Sequence, residues 1–210
     1  MKLSRKTFLL DALAYRVRVI SWPQLLGLGP RSGSYERSLR RLLQRLEAAR
    51  LIRRLTVLAR PAPVIDGPLF RWPGPGGPAP DCYAIQYQAE KRNVRPVQAV
   101  TVFLGTLRLA NVLGGTCGGK LNHHAVTHDL GVTATYFHRW QADPNPALAW
   151  QGEDIVAPSR HRQKLPDAVL FDAAGDPALA VEFIGDYPAE RIQAFHDDCA
   201  VRRGMAYELY

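Results

Sequence analysis

The stretch that most constrains the fold runs from Lys164 to Tyr187, KLPDAVLFDAAGDPALAVEFIGDY. Two apolar runs, AVLF and ALAVEFI, flank the turn-forming residues Ala173-Ala174-Gly175-Asp176-Pro177. That order predicts a β-hairpin. Centring the turn between Ala174 and Gly175 sets Asp167 directly opposite Glu182. Opposed residues of an antiparallel pair have Cα atoms about 4.5 to 5.5 Å apart and side chains on one face. Two carboxylates side by side make a poor core, so this pair is a candidate site.

With 210 residues the chain has room for one large or two small domains, and 47% hydrophobic with 22% charged residues is a globular balance. The cysteines, Cys82, Cys117 and Cys199, are far apart and form no CxxC. A disulfide framework and a cysteine zinc site are therefore not expected, which suits a reducing compartment. The opening MKLSRKTFLLDALAYRVRV has a signal-like start, but Asp11, Arg16 and Arg18 interrupt its apolar run. No run approaches the roughly 18 apolar residues of a membrane span. The expectation is a soluble cytoplasmic protein without a membrane partner.

Charge is unevenly distributed along the chain. Residues 1–60 carry 14 Lys and Arg against 3 Asp and Glu, whereas the remainder carries 13 against 16. A basic module joined to a mildly acidic one predicts a polyanion partner for the first sixty residues.

Ser4 is placed to cap a helix running to about Arg18, and Ser21-Trp22-Pro23 opens a short second helix that ends at Gly27 or Gly29. A third helix is predicted from about Ser34 to Arg50, followed by a strand from Leu51 to Leu58. This is the order of a winged helix-turn-helix. At about 100° per residue, Leu39, Leu42, Leu43 and Leu46 of the third helix fall on one face. Arg37, Arg40, Arg41 and Arg45 fall opposite. A leucine stripe backing an arginine face suits a helix seated on its domain and turned toward double-stranded DNA. Arg53 and Arg54, at the start of the following strand, fit contacts to the phosphate backbone.

Residues 61–80, rich in Pro and Gly, read as an extended wing or linker. Cys82–Gln88 and Val97–Leu104 are predicted as strands. Gly114 to Lys120 fits GxxxxGK, but Leu121 replaces the hydroxyl residue that a nucleotide's Mg²⁺ needs, so the segment is read as a hinge. A helix is predicted from about Asn122 to Gln141, carrying His123, His124, His128 and His138. His124 and His128 share a face, but no Glu follows His124 as a zinc-protease motif requires and no third ligand is evident, so they are read as partly exposed helix residues. Leu148–Val156 is predicted as a strand, the hairpin strands as 167–172 and 179–184, then a helix Pro188–Arg203 and a last strand Met205–Tyr210. The expected domains are 1–60, 61–120 and 121–210, and the fold class is α+β or α/β.

The predicted α-β-β-β-α-β order, with Pro166-Asp167 on the second strand and Glu182 on the third, resembles the core of the PD-(D/E)xK nucleases, also called restriction-endonuclease-like. The resemblance covers about ninety residues. A winged helix ahead of such a core, with His128-Asp129-Leu130-Gly131-Val132 and the PDA…VEF segment, resembles the plasmid replication-relaxation family. That resemblance implies a DNA-associated role on plasmids or other mobile elements: replication, mobilisation or transcription control. In an active nuclease of this kind Asp167 and Glu182 would bind Mg²⁺ as catalytic residues, with Asp129 or Glu153 as a further acid. The lysine expected two residues after the Glu is here Ile184, which carries no charge or proton; Lys164 and Arg191 are the nearby replacements. The leading expectation is a DNA-binding protein with a degenerate nuclease-like domain. The alternatives are an active Mg²⁺-dependent endonuclease and a C-terminal domain serving a homodimer or a protein partner.

Overall fold

A computed structural model describes residues 4–115, 121–122, 124–143, 149–160 and 164–210. Most of the GxxxxGK-like segment, together with Cys117, His123 and Leu148, lies outside the described residues. In chain order the elements are α1 (Arg5–Asp11), β1 (Val19–Ser21), α2 (Trp22–Gly27), α3 (Gly33–Ala48), β2 (Ile52–Ala59), β3 (Phe70–Trp72), α4 (Cys82–Arg92), β4 (Gln98–Gly105) and α5 (Leu107–Leu113). They continue with α6 (Val126–Ala142), β5 (Trp150–Gly152), α7 (Glu153–Val156), β6 (Ala168–Phe171), β7 (Pro177–Glu182), α8 (Ala189–His196) and β8 (Tyr207–Leu209). The described residues form a mixed α and β fold built on two sheets. No helix among the described residues is long and apolar enough to cross a membrane.

Two compact units are present, and they interleave in sequence. One comprises Met1–Ala62 and Pro96–Thr133, the other Pro63–Arg95 and Ala134–Tyr210. The consecutive division 1–60, 61–120, 121–210 follows composition along the chain. The units follow strand pairing, because the middle stretch supplies a strand to each sheet.

The first unit holds a three-stranded sheet in the order β1-β4-β2. β4 is central and antiparallel to both neighbours, pairing with β2 from Ile52↔Gly105 to Ala59↔Gln98. Val19, Val57, Val100, Val102 and Leu104 form one apolar layer with Val126 and Leu130 of α6. The first helix, predicted to reach Arg18, instead passes through a π-helical turn at Ala12–Arg16, and Val19–Ser21 becomes a strand. β-branched Val19 and Ile20 suit the pleated pairing with β4 that the local helical pattern does not reveal. Ser21 and Gln24 complete a capping box that starts α2, with Pro23 in its first turn. α3 stops at Ala48 rather than Arg50, because Arg50 takes the left-handed conformation (φ 56°) that ends a helix.

The second unit holds a five-stranded sheet in the order β3-β8-β7-β6-β5. Only β7 and β8 are parallel. Trp72, Ile85, Ile184, Ile192, Phe195 and Tyr207 lie at the heart of its core. Cys82–Gln88, predicted as a strand, is the start of helix α4. Asp81 caps it by accepting from the Ala84 N–H (3.0 Å), and Cys82, Ile85 and Ala89 bury one side at helical spacing. The misleading signal was the exposed Tyr83 and Tyr87, aromatic residues with no core behind them. Of the described part of the predicted strand, residues 149–156, only Trp150–Gly152 is extended. Glu153 and Asp154 then open a helical turn, where acids favour the N-terminus.

The hairpin forms in the predicted register: Ala168↔Val181, Val169↔Ala180 and Leu170↔Leu179. A register shift at Phe171, which pairs with Pro177, lies on the turn side and leaves the carboxylate end unchanged. The turn is closed by Asp172, whose Oδ1 accepts from the N–H groups of Ala174 (2.8 Å) and Asp176 (2.9 Å). Gly175 supplies the positive φ of 87° there. The last predicted helix runs as α8 and then a π-helical turn, Asp197–Arg202, before Gly204 at φ 59°.

Candidate nucleic-acid interface and paired carboxylates

α3 is held from behind. Ser32 caps it by accepting from the Tyr35 N–H (3.3 Å), and Tyr35, Leu39, Leu43 and Leu46 are buried. The Tyr35 hydroxyl donates to the Leu25 carbonyl (2.8 Å), tying α3 to α2. On the opposite side Ser34, Arg37, Ser38, Arg41, Gln44, Arg45 and Ala48 line one shallow concavity. At 100° per residue these positions occupy a single sector of the helix, centred away from the leucines.

Charges on α3 are sorted. Its two acids, Glu36 and Glu47, lie on the flank and each takes an arginine from outside that concavity. Glu36 pairs with Arg40 (2.6 Å) and Glu47 with Arg54 (3.3 Å). Arg40 is further held with its guanidinium over the Trp22 ring, 4.8 Å from the centroid. Among the described residues no carboxylate pairs with Arg37, Arg41, Arg45 or Arg53, and the first three are exposed along the concavity. The Arg45 Nε donates to the Arg41 carbonyl (3.3 Å), which steadies its stem. Arg53 and Arg54 are exposed on β2, an edge strand. Of the six arginines singled out from sequence, four therefore retain uncommitted charge, while Arg40 and Arg54 serve ion pairs.

The unit boundaries sharpen the charge asymmetry. The first unit carries 16 Lys and Arg against 4 Asp and Glu, net +12; the second carries 11 against 15, net −4.

The paired carboxylates lie wholly within the second unit. Asp167 is 9% exposed and Glu182 3%. The Asp167 N–H donates to Glu182 Oε2 (3.1 Å), and the Phe183 N–H donates to Asp167 Oδ2 (2.7 Å). Each side chain thus satisfies a backbone N–H at the open end of the hairpin, where the strand ladder runs out. The Tyr187 hydroxyl donates to Glu182 Oε1 (3.1 Å). Tyr187 in turn accepts from Arg191 Nη2 (2.7 Å), whose guanidinium lies 3.6 Å from the ring centroid. Burial, reinforced by Glu182, pushes the Tyr187 phenol well above its usual range, so it remains a donor. The Lys164 Nζ donates to the Arg191 carbonyl (3.3 Å), and burial lowers its pKa against the opposing pull of Glu182.

At least three of the four oxygens of the pair accept from protein donors. With those oxygens turned to two backbone N–H groups and the Tyr187 hydroxyl, the pair as arranged forms a structural lock on the hairpin. Of the two further acids, Asp129 belongs to the first unit, where it is buried and lies 3.7 Å from Arg18. Glu153 follows β5, and its N–H donates to the Asp167 carbonyl (2.9 Å), so it neighbours Asp167 in the sheet direction. Among the described residues no three His, Cys, Asp or Glu side chains are grouped to hold a metal ion, and His124 and His128 join no such group.

Ile184 points into the core with Trp72, Tyr187 and Phe195 and is fully buried. Its carbonyl accepts from Arg92 Nη2 (3.3 Å) and Asn93 Nδ2 (3.4 Å). Ser34, Ser38 and Gln44 on α3 were not singled out from sequence, although helical-wheel arithmetic extended beyond the arginines places them in the same sector. Tyr187 as partner of Glu182, and Arg92 and Asn93 as partners of Ile184, carried no sequence signal. No protein-family model matches this chain, and no characterised protein or solved structure matches it either.

Proposed function

We propose that this chain binds double-stranded DNA through α3 of its first unit, acting in plasmid or mobile-element replication, mobilisation or transcription control. The α1-β1-α2-α3-β2 order, with β4 returning between β1 and β2, supports a winged helix-turn-helix whose third helix faces the duplex. The observation that carries the reading is the charge sorting on α3. Both of its acids are taken up by Arg40 and Arg54, and Arg37, Arg41 and Arg45 are left facing solvent. Phosphates would supply the counter-charge that no described residue supplies. In the second unit the Asp167–Glu182 pair acts as a hairpin clasp on a nuclease-like scaffold.

The test is a salt series of fluorescence-anisotropy titrations on a labelled duplex. Arg37→Ala with Arg41→Ala should weaken binding and reduce the slope of log K against log salt by roughly two, about one for each lost phosphate contact. Unchanged affinity and slope would sink the reading.

A second reading, a Mg²⁺-dependent endonuclease using Asp167 and Glu182, draws on their register and on the neighbouring Glu153. It predicts duplex cleavage on addition of Mg²⁺ or Mn²⁺ that Asp167→Ala abolishes. Intact substrate across both metals would count against it.

A further inference from the structure

We infer that α3 reads a particular base sequence in the major groove, with Arg37, Ser38, Arg41 and Gln44 as the reading side chains. This rests on the duplex-binding reading above and goes beyond it, because neutralising phosphates requires no sequence preference. A helix that served only as a cationic surface would gain from charge at every exposed position. Here the concavity alternates guanidinium groups with neutral hydrogen-bonding side chains: Ser34, Ser38 and Gln44 lie among Arg37, Arg41 and Arg45. That mixture is the chemistry of base edges. A guanidinium forks onto guanine O6 and N7, a side-chain amide pairs with adenine N6 and N7, and a serine hydroxyl serves either.

The shape of the face agrees. No leucine, aromatic or β-branched residue stands in it, and it ends on Ala48. An α-helix with its side chains is about 10–12 Å across and the major groove about 12 Å wide, so a face without bulky apolar side chains lets the helix sit deep enough for its polar side chains to reach bases. From Ser34 to Ala48 the face runs about 20 Å, the length of roughly five or six base pairs. The acids are also absent from it. Glu36 and Glu47 stand to the side in pairs with Arg40 and Arg54, so no carboxylate repels the phosphates lining the groove. Arg40, stacked on Trp22, lies outside the reading set.

The experiment selects binding sites from a pool of duplexes with a randomised core, using the full chain. Anisotropy titrations of the selected duplex and a scrambled one follow, each over a salt series. The expected result is an enriched core of about five or six base pairs. Arg41→Lys keeps the charge but loses the fork, and should cut the ratio of selected to scrambled affinity by roughly 5- to 150-fold. Gln44→Ala should lower the ratio similarly while leaving the salt slope unchanged, since it removes no charge. A pool that yields no consensus, or variants that keep the wild-type ratio, would overturn base reading while duplex binding stands. Failure of the wild-type chain to bind any duplex would overturn both.

Discussion

Burial of three tyrosine hydroxyls makes the second unit sensitive to alkali. Tyr187, Tyr207 and Tyr210 are each raised above the usual tyrosine range, first of all by burial. Tyr210, which also donates to Glu208 (2.7 Å), reaches about 12. In the unfolded chain these phenols ionise near ~10. Above that pH the unfolded state holds fewer protons than the folded state, so stability falls as pH climbs from about 10 through the folded values. In an alkaline titration, phenolate absorbance from these three should rise only as the far-UV circular dichroism collapses. Full ionisation of all 8 tyrosines with the fold intact would contradict this. At this scale the sequence was informative only about near neighbours. Asp167 and Glu182 were legible as a facing pair because a short turn joins their strands. Tyr187 and Arg191 lie only a few residues further on, yet their roles depend on where a helix begins after the strand. No periodicity reports that.

Among the elements, α3 was the most legible, since leucines and arginines repeat at helical spacing on opposite faces. Its seat was not legible. A methyl group at Gly29 would overlap the Tyr35 ring, and that ring cannot swing away without giving up its hydrogen bond to Leu25. Gly29→Ala should therefore shift the α2–α3 corner, costing about 1–3 kcal/mol of stability and weakening duplex binding. Urea denaturation followed by circular dichroism measures it; an unmoved midpoint would show that the corner tolerates the methyl group. α4 illustrates the opposite case. CYAIQYQ has the aromatic content of a strand, and only its packing with α8 and the cap from Asp81 make it a helix. Its buried residues, Cys82, Ile85 and Ala89, are small or few, so the apolar stripe is faint beside the exposed tyrosines. Tertiary context overrode local preference there.

For the whole molecule, the chain passes out of the first unit after Ala62 and re-enters at Pro96, between two strands that pair with each other. Ala59 and Gln98 are partners across β2 and β4, so the ends of the intervening stretch are already close. Replacing residues 63–95 with a short Gly/Asn turn in a fragment ending at Thr133 should leave the first unit folded and able to bind duplex DNA. Circular dichroism and anisotropy would show it; an unfolded fragment would mean that the unit depends on the rest of the chain. The sequence by itself determined what is local or periodic: the hairpin and its register, the caps of the first helices, the two-faced third helix and the uneven charge. Only the tertiary structure decided which arginines are spent on Glu36 and Glu47, that β4 closes the first sheet while β3 and α4 join the second unit, and that the facing carboxylates clasp backbone amides. Those outcomes depend on contacts between residues far apart in the chain, whose partners are chosen by sheet pairing and burial rather than by spacing.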